Sequence, residues 1–154
     1  MRISIIGLGY VGLPLAQYFS KHFEVVGIDI DTLKIRELNE KFQIENLKFE
    51  SDYQCINECE FIIVAVPTPV DKYNKPDLSI LKECTISIAK NMRSDTIVIY
   101  ESTVFPGCTE EICVPLLEKF SHLIYNKDFG VGYSPERINP GDKLHTISNT
   151  KKII

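Results

Sequence analysis

The sequence predicts an α/β fold of Rossmann type, a doubly wound, mainly parallel sheet with helices on both faces, and three observations carry that prediction. Short β-branched apolar runs alternate with longer stretches of helical periodicity. The runs are apolar at consecutive positions, which implies cover on both faces, as parallel strands have. A glycine-rich turn, Gly7-Leu8-Gly9-Tyr10-Val11-Gly12, joins the first run to the first helical stretch.

Taken in order, the strands read as residues 3–6, 25–28, 61–66, 96–100 and 129–133, each bounded by Gly, Pro or Asp. Residues 11–21 place Leu15, Ala16, Tyr18 and Phe19 at helical spacing, with Pro14 in a first turn, where a missing N–H is best tolerated. A second helix opens at Thr32 and carries Leu33, Ile35, Leu38 and Phe42. Asp77 reads as the N-cap of a third, whose apolar positions include Leu78, Leu81, Ile86, Ile88 and Ala89. A fourth is expected over residues 109–120. Strand, helix and strand in repetition require right-handed crossovers. Residues 1–150 read as one domain. Lys151-Lys152-Ile153-Ile154 reads as a further strand just begun in a truncated chain, with a frayed terminal strand as the plainer alternative.

Composition bounds the function. A chain of 154 residues with 44% hydrophobic and 25% charged residues is an ordinary globular domain, which excludes collagen-like, coiled-coil and wholly disordered readings. The net charge of −4, with no basic tract, disfavours nucleic acid and anionic membrane surfaces as partners. No apolar run approaches the roughly 20 residues of a membrane span. Together with five scattered cysteines, an odd number, this predicts a cytoplasmic protein without a disulfide framework. Cys55, Cys59, Cys84, Cys108 and Cys113 are read as small buried hydrophobes. His22, His122 and His145 are isolated and no zinc-ligand spacing occurs, so no metal site is expected.

A lone G-x-G-x-x-G is weak, but here it follows a strand and opens a helix. Its glycines then permit a tight turn, close backbone approach to a pyrophosphate, and close packing of helix on strand. The helix N-terminus favours the anion. Asp29 ends the second strand seventeen residues after Gly12, near the roughly 20-residue offset at which an acid accepts from an adenosine ribose. A carboxylate there repels a 2′-phosphate, so NAD is expected over NADP. Asp31 is assigned to capping the helix that begins at Thr32. Lys34, one turn in, reads equally as a solvated surface cation or as an adenosine contact.

Ligands of a doubly wound sheet bind beyond the carboxyl ends of its strands. Those ends here are Val66-Pro67-Thr68-Pro69, then Glu101-Ser102-Thr103-Val104-Phe105-Pro106-Gly107, then Tyr133-Ser134-Pro135-Glu136-Arg137. All three converge on one crevice, with the hydroxyls of Ser102 and Thr103 beside the cofactor's path. Plain turn chemistry explains such Ser, Thr and Pro equally well.

GLGYVGLPLA, GIDID, VPTP, ESTVFPG and GYSPERINPGDK, in that order, resemble the UDP-glucose/GDP-mannose dehydrogenase family across essentially the whole chain. The resemblance implies the NAD-binding domain of an oxidoreductase that converts the C6 hydroxymethyl of a nucleotide sugar to a carboxylate with two NAD⁺. The form of the last segment is closer to the branch acting on UDP-N-acetylhexosamines, since the UDP-glucose branch usually carries a second acid where Pro140 stands. It further implies that Gly7, Gly9, Tyr10, Val11 and Gly12 form the pyrophosphate turn, that Asp29 and Lys34 hold the adenosine ribose, and that Val66, Pro67, Thr68 and Ser102 line the NAD path. Thr103 and Glu136 would face the nicotinamide and the reacting carbon.

In such chemistry a cysteine thiolate captures the aldehyde and water hydrolyses the thioester. Glu136 is then the base toward that water and Thr103 its orienter, while an ion pair with Arg137 is the plainer role for Glu136. The family's nucleophilic cysteine, lysine and asparagine belong to central and C-terminal domains expected to be absent from this sequence. By itself the chain is thus expected to bind NAD, to turn over nothing, and to form a homodimer or self-associate. A non-catalytic truncated paralogue, kept for oligomerisation or as a remnant, is the alternative.

Overall fold

Strand β1 (Arg2–Ile6) is buried from Ile3 to its end, and its unbroken apolarity is met by a parallel neighbour on each side, β2 (Glu24–Ile28) and β4 (Phe61–Val64). In the computed structural model, which describes residues 1–135, β2 pairs with β3 (Leu47–Glu50), β4 with β5 (Thr96–Tyr100) and β5 with β6 (Phe129–Tyr133), all in parallel. The order β3-β2-β1-β4-β5-β6 is that of the Rossmann dinucleotide fold. Helices α1 (Gly12–Phe19) and α2 (Thr32–Lys41) cover one face through a core that includes Ile5, Leu15, Ile35 and Leu38. The other face is covered by α3 (Ser79–Asn91) and α4 (Val114–Ser121) through Leu81, Ile88, Val98 and Leu117.

The five expected strands are all present, and the differences have local causes. β4 stops at Val64 rather than at residue 66, because the chain turns away toward Pro67. Sequence reasoning missed β3, a four-residue edge strand in which buried Leu47 and Phe49 alternate with exposed Lys48 and Glu50. It also missed the 3-10 turn Tyr53–Glu58 that follows. The Asp77 carboxylate accepts from the Ser79 amide at 2.9 Å, but the helix starts at Ser79, one residue later than a cap at Asp77 implies. The fourth helix begins as a π-helical turn, Thr109–Cys113, before α4 proper. Cys55 is only half-buried, unlike the other four cysteines, because its turn lies near the surface. The strand expected at residues 151–154 lies outside the described residues.

Candidate cofactor site

Neighbouring β1 and β4 send their chains to helices on opposite faces, and a cleft of about 740 Å³ opens beyond their carboxyl ends. The glycine turn forms one wall. Gly7 sits at φ +90°, and a Cβ there would lie 2.7 Å from the Ala65 carbonyl oxygen. At Gly12 a Cβ would strike the Gly7 carbonyl oxygen. Both glycines therefore serve the protein's own packing. Gly9 is different, since a Cβ added there meets nothing within 4 Å. Its missing side chain leaves room in the cleft itself. No side chain caps α1, and its Leu13 and Leu15 amides are taken by the Gly9 and Val11 carbonyls at 3.1 and 3.2 Å.

Asp29, at the end of β2, fastens the turn from the other side. Its Oδ2 accepts from the Leu8 amide at 3.0 Å and from Lys34 Nζ at 2.7 Å, and its Oδ1 accepts from the Asp31 amide at 3.1 Å. Burial pushes the carboxyl up, but the Lys34 ammonium and the Asp31 and Leu8 amides outweigh it and hold the pKa below the ordinary value. Asp31 caps α2, accepting from the Leu33 and Lys34 amides at 3.0 and 3.1 Å.

The far wall comes from two loops tied to each other. Ser102 Oγ donates to the Val66 carbonyl at 2.6 Å, and Thr68 Oγ1 donates to the Thr103 carbonyl at 2.7 Å. Tyr133, at the end of β6, lies 3.4 Å from both the amide and the carbonyl of Val104. Of the residues expected at the site, Gly7, Gly9, Tyr10, Val11, Asp29, Lys34, Val66, Pro67, Thr68, Ser102 and Thr103 line the cleft. Gly12 is packed beneath it, and Glu136 lies outside the described residues. Glu101, buried at the end of β5, also lines the cleft and was passed over. It occupies the strand-end position that singled out Asp29, so the same rule would have found it. Tyr53, Ile80, Glu83, Cys84 and Ser87 line it from the 3-10 turn and α3, which no motif marked.

None of the thiols is poised as a nucleophile. Burial pushes Cys59 and Cys113 up to about 11 and Cys84 up to about 12, and raises Cys55 and Cys108 as well. Among the described residues no three His, Cys, Asp or Glu side chains group to hold a metal, and no helix is long and apolar enough to cross a membrane.

Fold and cleft together define a dinucleotide-binding Rossmann domain, with open space at Gly9 and an acid at the end of β2 that fastens the glycine turn. Residues 1–154 match the UDP-glucose/GDP-mannose dehydrogenase family, NAD binding domain. The chain belongs to that family, and NAD is its cofactor. It is 50% identical to Protein CapL of Staphylococcus aureus and 48% identical to UDP-N-acetyl-D-glucosamine 6-dehydrogenase of Salmonella typhi, covering in each case 99% of this chain and 39% of that protein. Among solved structures, UDP-D-ManNAc dehydrogenase from Pyrococcus horikoshii superposes with a TM-score of 0.85 at 34% identity, over 92% of this chain and 37% of that one. A ternary complex of GDP-mannose dehydrogenase from Pseudomonas aeruginosa also gives 0.85, at 30% identity, over 90% of this chain and 37% of that one. The chain thus spans about two fifths of the length of the curated relatives it matches.

Proposed function

We propose that this chain is the cofactor domain of a nucleotide-sugar 6-dehydrogenase that oxidises the C6 hydroxymethyl of a UDP-N-acetylhexosamine to a carboxylate. The observation that carries the reading is the pairing of an open position at Gly9 with a carboxylate held on the same turn through the Leu8 amide. The cleft residues fit NAD in a definite sense. Amides of the glycine turn receive the pyrophosphate, Asp29 accepts from the adenosine ribose, and the joined loops at Thr68, Ser102 and Thr103 bound the second mononucleotide half. When bound, NAD⁺ supplies the hydride acceptor.

The remaining roles extend the same reading. Thr103 orients the water that releases the acid product, and Glu136 takes its proton. None of the five cysteines has the accessible, lowered-pKa environment that a covalent step needs, so the nucleophile comes from outside this sequence. Residues 1–150 act as one unit that binds NAD in preference to NADP and, alone, turns over no UDP-sugar. The chain forms a homodimer or otherwise self-associates.

Titration calorimetry with NAD, paired with an absorbance assay for NADH in the presence of UDP-N-acetylglucosamine, tests this reading. Saturable NAD binding without NADH formation is the expected pair of results. Sustained turnover by the purified chain would overturn the assignment of the nucleophile, and absence of NAD binding would favour a remnant module. Light scattering should report a dimer or larger species; a monodisperse wild-type monomer at high concentration contradicts self-association.

A further inference from the structure

Asp29 already holds more donors than a carboxylate gripping a ribose diol has room for. An ionised carboxylate offers about four lone-pair positions. Three are engaged, by the Leu8 amide, the Asp31 amide and Lys34 Nζ. Two of these donors belong to the backbone and cannot leave without moving the glycine turn or the entry to α2. The third sits on a flexible four-carbon stem whose side chain is 34% exposed. A 2′,3′-diol that takes two acceptor positions therefore displaces the ammonium or shares Asp29 with it. Either outcome leaves a mobile cation beside the 2′ position, and among the described residues that line the cleft Lys34 is the only Lys or Arg. An isolated carboxylate rejects a 2′-phosphate by like-charge repulsion, whereas the Asp29–Lys34 pair, at 2.7 Å, carries no net charge.

We propose that Lys34 is a specificity-determining residue of this site: its ammonium acts as counter-ion to a 2′-phosphate, so the chain discriminates NAD from NADP less sharply than Asp29 alone would dictate. The inference rests on placing the adenosine ribose at Asp29. Lys34 does not select NADP; it lowers the penalty that Asp29 imposes on it.

Dissociation constants for NAD and for NADP, measured by titration calorimetry on the wild-type chain, Lys34→Met and Lys34→Arg, test the inference. Methionine keeps the length of the stem and removes the charge. The wild type should bind both dinucleotides, NAD more tightly. In Lys34→Met the affinity for NADP should fall about tenfold further than that for NAD, a differential of about 1.4 kcal/mol, and Lys34→Arg should restore the wild-type ratio. An NAD:NADP ratio unchanged in Lys34→Met, a Lys34→Arg protein that behaves like Lys34→Met, or no NADP binding by the wild type at millimolar concentration would each overturn the inference while leaving NAD binding intact. Failure of the wild type to bind NAD overturns the ribose assignment and this inference together.

Discussion

Asp29 does two jobs with one side chain. It accepts from the Leu8 amide of the glycine turn, and it faces the cleft in which the ribose is placed. Asp29→Ala should lower NAD affinity by about 100-fold and also lower Tm, because a hydrogen bond to a charged group contributes about 1.5–3 kcal/mol and two amides lose their acceptor. The carboxyl titrates below 3.8 in the folded chain. Its contribution to stability is therefore fully present above pH 3.8 and is lost as pH falls through the lower folded value. Thermal melts of wild type and Asp29→Asn should show a Tm gap at pH 7 that narrows only below pH 4; a gap that closes nearer neutrality would contradict the assignment. Gly12→Ala should cost folding itself, since its Cβ meets the Gly7 carbonyl. The glycines and Asp29 were legible in the sequence because a motif ties each residue type to a backbone requirement at fixed spacing. Glu101 was not, because the hydroxyls of Ser102 and Thr103 drew attention past the acid that ends the strand.

At the scale of elements, the far wall depends on hydrogen bonds between loops that are distant in sequence. Ser102 is buried, and its hydroxyl satisfies the Val66 carbonyl. Ser102→Ala leaves that carbonyl without the bond, at a cost of about 1–3 kcal/mol, which corresponds to a Tm drop of several degrees by about 2–4 °C per kcal/mol. A change under one degree by differential scanning calorimetry would show that the bond contributes little. Removing the cap of α2 with Asp31→Ala should cost about 1 kcal/mol. The strands with continuous apolar runs were legible because burial on both faces writes itself into consecutive residues. β3 was not, because an edge strand of four residues shows only Leu47 and Phe49 to the core and keeps Lys48 and Glu50 in solvent. The 3-10 turn that carries Tyr53 to the cleft has no period for a sequence to display.

For the whole molecule, the order β3-β2-β1-β4-β5-β6 decides where everything else falls. Reversal of strand order at β1 and β4 opens one crevice, and loops separated by up to 96 positions, from Gly7 to Thr103, meet around it. The alternation of strands and helices made a doubly wound parallel sheet predictable, because right-handed crossovers leave few arrangements, but not the strand order itself, which includes the edge strand β3. The partial exposure of Ile97 among the described residues had no such signal, since exposure depends on what packs against a strand rather than on its own residues. The space left by the missing side chain at Gly9 is where we place the dinucleotide. NAD titration of wild type and Gly9→Ala, each with its melting curve, measures this directly. Gly9→Ala should keep the wild-type Tm within about a degree while NAD affinity falls at least tenfold, as open space around the Cβ allows the fold but not the ligand. Equal NAD binding by the two proteins at equal Tm would contradict it.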